Sequence, residues 1–187
     1  MVSRVIPVDD FDLTVIGGTG DLARRKILPG LYRRFLAGQV PETVRIIGAA
    51  RADMDDEGYR ALVRDAIGEF VPAAKRDKAA TEAFISMLRY IKLDALGDTG
   101  WAELRALVRP DVIRVFYLSV APRLFAPLAE RLHEHAIAGH NCRIVVEKPF
   151  GRDLASAKEL NAVLARSFEE HQIYRIDHYL GKETVRT

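Results

Sequence analysis

Residues 17–26 read Gly-Gly-Thr-Gly-Asp-Leu-Ala-Arg-Arg-Lys, and this glycine-rich stretch decides the fold. The six residues before it, Phe-Asp-Leu-Thr-Val-Ile at 11–16, are mostly apolar or β-branched, as in a buried strand. After it, apolar residues recur at helical spacing at Leu22, Ile27, Leu31 and Phe35. The order is therefore strand, glycine turn, helix.

The turn satisfies the pattern G-x-G-x-x-G/A through Gly18, Gly20 and Ala23. In this pattern the glycines permit a tight turn and close approach of the backbone to a pyrophosphate, and the small third residue lets the helix pack on the strand. The free N–H groups and the dipole of the helix N-terminus favour such an anion. The alternative is a tight connection that uses its glycines structurally. The nucleotide interpretation predicts coenzyme contacts at Gly17, Gly18, Thr19, Gly20, Asp21 and Leu22.

The rest of the chain alternates strands with helices. Strands are predicted at residues 11–16, 44–49, 89–93, 112–118, 142–146 and 173–176. Helices are predicted around residues 22–35, 59–67, 74–88, 101–108, 122–136 and 154–168. We expect Asp53 or Asp55 to cap the second helix, Gly139 to end the fifth, and Pro29 to kink or shorten the first.

Strands that are apolar on both faces and alternate with helices indicate a parallel sheet covered on both sides. The predicted fold class is α/β: a doubly wound, mostly parallel six-stranded Rossmann sheet, ordered 3-2-1-4-5-6, with helices on both faces. We assign residues 1–187 to one such dinucleotide-binding domain.

The composition excludes several classes of function. The 187 residues are 49% hydrophobic and 29% charged, with a net charge of +2, so no global field favours nucleic acid or a membrane surface. The apolar runs are too short for a membrane span, and the first ten residues contain no apolar signal core, which predicts a cytosolic protein. The single cysteine, Cys142, precedes an apolar strand and is expected to be a buried, inert thiol.

In a doubly wound sheet, ligands gather beyond the carboxyl ends of the strands. We therefore expect five segments to converge on one crevice: residues 17–26, 50–53, 119–122, 147–151 and 177–182. At the end of the second strand, where NAD sites usually have an acidic residue, the chain has Arg51. Because arginine is well suited to bind a 2'-phosphate, we expect NADP to be the preferred coenzyme and NAD to bind more weakly. Two alternatives stay open. Arg51 is a solvated surface residue, or Asp53 contacts the ribose in its place.

Two of these segments contain candidate catalytic groups. Lys148 lies between a carboxylate and Pro149, and we predict a cis peptide bond there; a salt-bridged surface lysine is the alternative. Residues 177–182 read Asp-His-Tyr-Leu-Gly-Lys, whose histidine, tyrosine and lysine are good phosphate donors. His133, His135 and His140 do not share a helix face, so no metal site is predicted.

Three stretches together resemble the motifs of the glucose-6-phosphate dehydrogenase family in kind, order and spacing. They are residues 17–26, residues 147–154 (Glu-Lys-Pro-Phe-Gly-Arg-Asp-Leu) and residues 175–183 (Arg-Ile-Asp-His-Tyr-Leu-Gly-Lys-Glu). The resemblance implies that Thr19 and Arg51 contact the coenzyme and that Lys26 and Lys148 lie between coenzyme and sugar, with Lys148 contacting both. It further implies that the 6-phosphate is held by His178, Tyr179 and Lys182. Asp177 would pair with a general-base histidine that lies further downstream in this family.

The reaction that the resemblance implies is oxidation of C1 of β-D-glucose 6-phosphate to the 6-phosphogluconolactone with hydride transfer to NADP, the first step of the oxidative pentose phosphate pathway. We expect the family's β+α domain, with the base and the dimer interface, to be absent from this chain. The chain is then expected to bind NADP without measurable turnover.

Two other functions stay open at this point. A glucose-fructose-oxidoreductase-like dehydrogenase shares the Rossmann domain and a Glu-Lys-Pro motif, but it leaves residues 177–182 unexplained. A non-catalytic NADP-binding module is the other candidate.

Overall fold

The computed structural model describes residues 10–147 and 154–176, and these form a six-stranded parallel sheet. The strands are β1 Phe11–Ile16, β2 Arg45–Ala50, β3 Leu88–Lys92, β4 Ile113–Leu118, β5 Cys142–Glu147 and β6 Ile173–Ile176. Their order is β3-β2-β1-β4-β5-β6, and all five neighbouring pairs are parallel. The predicted fold class and strand order are confirmed.

Helices cover both faces of the sheet. They are α1 Leu28–Leu36, α2 Asp56–Phe70, α3 Lys78–Ser86, α4 Trp101–Leu107, α5 Phe125–Glu134 and α6 Leu154–Ser167. Leu13 and Val15 of β1 join a core cluster with α1, α2 and α3, whereas Ile16 joins the cluster with α4, α5 and α6. Alternate residues of the central strand thus anchor the two halves of the core.

The first helix differs from an ordinary α-helix where Pro29 enters it. The segment Ala23–Ile27 is π-helical, and the N–H of Leu28 donates to the carbonyl of Ala23. A proline lacks the N–H of the regular ladder, and its ring clashes with the carbonyl four residues earlier. The wider π turn is consistent with relief of that clash, so the irregularity that was expected from Pro29 is a π-helical segment.

At the other helix boundaries, the structure decides one open choice and corrects two predictions. Asp55 caps α2 by accepting from the N–H of Gly58 at 2.8 Å, which decides between the two candidate caps. The predicted helix at 74–88 was wrong at both ends, because α3 begins after the cap Asp77 and Leu88 pairs with Ile46 in the sheet. Helix α5 ends at Glu134, and not at Gly139, with Ala136 in the left-handed region at φ 55°.

An ion-pair cluster holds the amino edge of the sheet together. Arg109, just after α4, donates to the carboxylates of Asp10 at 2.6 Å and Asp12 at 2.8 Å, and also to the carbonyl of Thr43. The side chain of Asp12 is fully buried, so its charge depends on this partner.

No helix among the described residues is long and apolar enough to cross a membrane.

Candidate functional site

A pocket of about 470 Å³ opens at the carboxyl edge of the sheet, opposite the Arg109 cluster. Segments that follow four strands line it: Ile16, Gly17, Thr19, Gly20, Ala50–Ala52, Leu93–Leu96, Ser119–Ala121, Arg123 and Leu124. Three of these segments, those after β1, β2 and β4, were expected to meet here. The segment after β3 was not foreseen. The geometry is that of a ligand crevice beyond the strand ends.

The glycine turn passes very close to the end of β4. Gly17 has φ 86°, and a β-carbon added there would lie 2.1 Å from the carbonyl oxygen of Ser119. The N–H of Gly17 donates to Ala49 at the end of β2 over 2.8 Å. Only glycine fits both this backbone conformation and this contact. The turn is therefore tied to both neighbouring strands.

Gly18 lies under the turn, packed on Tyr59 of α2. The Tyr59 hydroxyl donates to the carbonyl of Gly18 over 3.0 Å, and a β-carbon on Gly18 would lie 2.8 Å from that hydroxyl oxygen. The Tyr59 ring also fills the space over Gly48 of β2, where a β-carbon would lie 2.2 Å from the ring. Burial raises the pKa of Tyr59 well above its usual range, so the hydroxyl remains a donor. Sequence reasoning missed this tyrosine, whose helical spacing marks only a core residue.

The helix after the turn presents its N-terminus toward the pocket side of the sheet. The helix begins at Asp21, directly after Gly20, which has no side chain that could cap it. Gly20 lines the pocket and its N–H donates to Gly17 over 3.0 Å, which closes the turn. An uncapped helix start behind a glycine turn fits a phosphate. Asp21 is exposed and pairs with Arg25 at 2.7 Å, while Lys26 is exposed and lies outside the pocket lining.

The corner after β2 places a cation at the pocket rim. Arg51 is exposed and lines the pocket, and none of the ion pairs found in residues 10–147 and 154–176 involves it. Asp53 does not line the pocket, and it lies near the hydroxyl of Tyr90, whose pKa it helps to raise. The position therefore offers a guanidinium that is unpaired within the described residues, where an acidic residue would otherwise receive a ribose hydroxyl.

Two residues that line the pocket lie outside the sequence motifs described above. Arg123, in the turn that opens α5, gives the rim a second exposed cation. Asp94 lines the opposite side, and its carbonyl accepts from Nε1 of the only tryptophan, Trp101, over 2.9 Å. The one sequence feature that could have pointed to them is that each follows a predicted strand within five residues.

The remaining predicted site residues lie outside the described part of the chain. These are Lys148, Pro149, Asp177, His178, Tyr179 and Lys182. Glu147, directly before Lys148, ends β5 and accepts a hydrogen bond from the Tyr117 hydroxyl of β4. His135, which was tested as a metal ligand, stacks on Trp101 with ring centroids 5.6 Å apart.

Comparison with known proteins places the chain in one family. The sequence model of the glucose-6-phosphate dehydrogenase NAD-binding domain matches residues 14–187. Glucose-6-phosphate 1-dehydrogenase of Rhizobium meliloti is 49% identical over 99% of this chain and 38% of its own length. The same enzyme of Mycolicibacterium smegmatis is 45% identical over 96% of this chain and 37% of its own. The chain thus spans well under half the length of these curated relatives.

Two solved structures of the same family have a similar fold. A glucose-6-phosphate dehydrogenase in complex with its substrate glucose-6-phosphate superposes with a TM-score of 0.84 at 34% identity, covering 100% of this chain and 40% of the other. Glucose-6-phosphate 1-dehydrogenase from Mycobacterium avium gives a TM-score of 0.84 at 35% identity over 91% of this chain and 37% of its own. The likeness extends to the sheet as a whole.

Proposed function

Because the chain belongs to the glucose-6-phosphate dehydrogenase family, we propose that its pocket binds NADP and that the protein oxidises C1 of β-D-glucose 6-phosphate. The family supports a nicotinamide coenzyme. The choice of NADP rests on one observation, the Arg51 guanidinium at the rim of the pocket, which has no ion-pair partner among residues 10–147 and 154–176.

The pocket suits the adenosine half of the coenzyme. The pyrophosphate fits over the turn Gly17–Gly20, because three of its residues line the pocket and the helix that starts after Gly20 has no side-chain cap there. The 2'-phosphate fits against Arg51, whose planar fork binds phosphate through two hydrogen bonds. The apolar side chains of Leu96 and Val120 line the same cavity and fit the adenine ring. Together these groups match a dinucleotide that bears a 2'-phosphate.

Bound NADP supplies the hydride acceptor for the reaction. This chain contributes positioning, because a coenzyme fixed at its adenosine end presents its other end along the same edge of the sheet. Strand β6 ends at Ile176 at that edge, and residues 177–182 come next in the sequence. On the motif resemblance we propose that His178, Tyr179 and Lys182 hold the 6-phosphate, that Asp177 orients the general base, and that Lys26 and Lys148 lie between the two ligands.

Calorimetric titration tests the coenzyme part. We expect NADP to bind more tightly than NAD, and Arg51→Ala to remove much of that difference, about tenfold or more for one charge-assisted phosphate contact. Arg105→Ala is the matched control, because Arg105 is an exposed arginine of α4 that does not line the pocket. Equal losses for both coenzymes in Arg51→Ala would contradict the assignment.

The absorbance of NADPH tests the substrate part in the full-length natural gene product, because the 187-residue chain by itself is expected to bind NADP without measurable turnover. Glucose 6-phosphate should drive NADPH formation, and His178→Ala should raise its KM, whereas His133→Ala, on the exposed side of α5, should leave KM unchanged. NADP binding without any reduction by glucose 6-phosphate in the full-length natural gene product would refute the proposed reaction. Cytosolic location stays a prediction from the sequence, and a homodimer or larger assembly is what the resemblance implies for the full-length family.

A further inference from the structure

Two buried tyrosines support different parts of the pocket. Tyr59 of α2 and Tyr90 of β3 lie with ring centroids 5.3 Å apart and ring planes at 32°. The Tyr59 hydroxyl donates to the carbonyl of Gly18 in the glycine turn. In the proposed function, this turn contacts the pyrophosphate of any dinucleotide. The Tyr90 hydroxyl bonds to the corner after β2. The two hydroxyl groups therefore act on separate segments of the site although their rings touch.

The Tyr90 hydroxyl reaches the carbonyls on both sides of Arg51. Its oxygen lies 2.5 Å from the carbonyl oxygen of Ala52 and 3.0 Å from that of Ala50. A hydroxyl has one hydrogen to donate, and Ala50 already accepts from the N–H of Leu93 at 2.8 Å. Ala52 itself is exposed, and the hydrogen bond from the Tyr90 hydroxyl links its carbonyl to the buried strand β3.

We propose that Tyr90 is a positioning residue for coenzyme choice: its hydroxyl fixes the carbonyl of Ala52 just after Arg51, while the N–H of Leu93 holds the carbonyl of Ala50 just before it, and the guanidinium is thereby oriented toward the 2'-phosphate. The inference rests on the proposed function, which makes Arg51 the contact of that phosphate. An arginine on a fixed backbone loses less conformational freedom when it binds. NAD has no 2'-phosphate, so its affinity does not depend on this orientation.

The ring and the hydroxyl of Tyr90 are separable. The residue is 8% exposed, and its ring belongs to the core cluster on the face of α1, α2 and α3. Burial and the nearby Asp53 raise the pKa of Tyr90, so the hydroxyl stays protonated at neutral pH. Tyr90→Phe therefore retains the packing and removes only the hydrogen bonds to the corner.

Calorimetry with NADP and with NAD on Tyr90→Phe tests the inference. We expect NADP affinity to fall about three- to tenfold, as for loss of one hydrogen bond, and NAD affinity to change by less than about twofold. Tyr59→Phe is the matched control, since the same atom is lost from the neighbouring ring. It should weaken both coenzymes equally and leave their ratio unchanged. In an Arg51→Ala background, Tyr90→Phe should have no further effect on the ratio.

The outcomes separate the inference from the proposed function. If Arg51→Ala lowers the ratio of NADP to NAD affinity but Tyr90→Phe leaves it unchanged, the inference is wrong and the coenzyme assignment stands. If Arg51→Ala leaves the ratio unchanged, the assignment and the inference both fail. A parallel loss for both coenzymes in Tyr90→Phe would also overturn the inference.

A second variant covers the case in which Tyr90→Phe does not fold. Ala52→Gly keeps both carbonyls and the tyrosine but gives the corner more backbone freedom. It should lower the same ratio without changing NAD affinity. An unchanged ratio in a folded Ala52→Gly protein would overturn the inference by itself.

Discussion

The hydroxyl of Tyr59 donates a hydrogen bond to the main-chain carbonyl of Gly18 over 3.0 Å, across 41 residues of sequence. This contact joins the first turn of α2 to the turn that follows β1. It explains why Gly48 of β2 lacks a side chain, since the Tyr59 ring occupies the position where a β-carbon would lie. The shape of the glycine turn is thus set by a residue outside the motif.

The contact between Gly48 and Tyr59 predicts the effect of a single methyl group. In Gly48→Ala the new β-carbon would lie 2.2 Å from the buried ring, which is anchored at its hydroxyl. We expect a loss of about 1–3 kcal/mol in the free energy of unfolding from overpacking, and weaker binding of both coenzymes. Urea unfolding and calorimetry measure the two effects.

Gly30→Ala is the matched control. Gly30 lies in α1 with no atom within 4 Å of an added β-carbon, so alanine should stabilise the helix by about 0.5–1 kcal/mol. If the two substitutions had the same effect on stability, the packing explanation would be wrong.

The ion pair at the amino edge predicts a large stability effect without a binding effect. Arg109→Met removes the guanidinium that neutralises the fully buried carboxylate of Asp12 and leaves it only the main-chain N–H of residue 109, which should cost about 3–5 kcal/mol. Adding Asp12→Asn should recover part of that loss. Coenzyme affinity of the folded protein should not change, because the pocket lies at the opposite edge.

Arg64→Met is the control for that pair. Arg64 and its partner Glu82 are each about half exposed, so this substitution should cost no more than about 1 kcal/mol. Similar losses for Arg64→Met and Arg109→Met in urea unfolding would contradict the role of burial.

The lowered pKa of Asp10 predicts how the free energy of unfolding depends on pH. The side-chain hydrogen bond from Arg109 is the main cause that lowers the pKa of Asp10 below 3.8, with Thr43 and the N–H of Phe11 adding to it against the effect of burial. Since the folded pKa lies below the unfolded one, this stabilisation is complete above about pH 5 and is lost as the pH falls through the folded pKa. Asp10→Asn should therefore destabilise the protein more at pH 7 than at pH 3.

The exposed Asp111 provides the comparison, since Asp111→Asn should have little effect at either pH. A destabilisation by Asp10→Asn that is the same at pH 7 and at pH 3 would show that the charge of Asp10 contributes nothing.

Cys142 is predicted to be unreactive in the folded protein. Burial raises the pKa of this thiol to about 12, so at pH 8 only about one molecule in 10,000 has the reactive thiolate. Iodoacetamide followed by mass spectrometry should find the native protein unlabelled and the urea-unfolded protein labelled once, at its single cysteine. Rapid labelling under native conditions would show that strand β5 is open to solvent.

The sequence was sufficient for the sheet because each strand is a short apolar, β-branched run with a turn after it. The last strand, Ile173–Ile176, has the predicted bounds. Helix boundaries were less predictable, because Leu88 fits the helical spacing of α3 as well as a strand, and its pairing with Ile46 decides between them. The π-helical turn near Pro29 likewise depends on how the chain relieves a local clash.

The pocket was predictable in part for a similar reason. The glycine turn and Arg51 have local signals, and both line the cavity. Tyr59 and Tyr90 resemble ordinary core aromatics in sequence, and their hydroxyl partners lie 38 to 41 residues away. Only the packing of α2 and β3 brings these groups together, so local patterns contain no signal for them.

The central claim is that the pocket beyond β1, β2 and β4 holds NADP with its 2'-phosphate on Arg51. A crystal structure of the protein grown with NADP tests it most directly. We predict the pyrophosphate over Gly17–Gly20 and a 2'-phosphate oxygen within about 3 Å of an Arg51 guanidinium nitrogen. NADP bound outside this pocket, or inside it with Arg51 turned to solvent and another residue on the 2'-phosphate, would contradict the account.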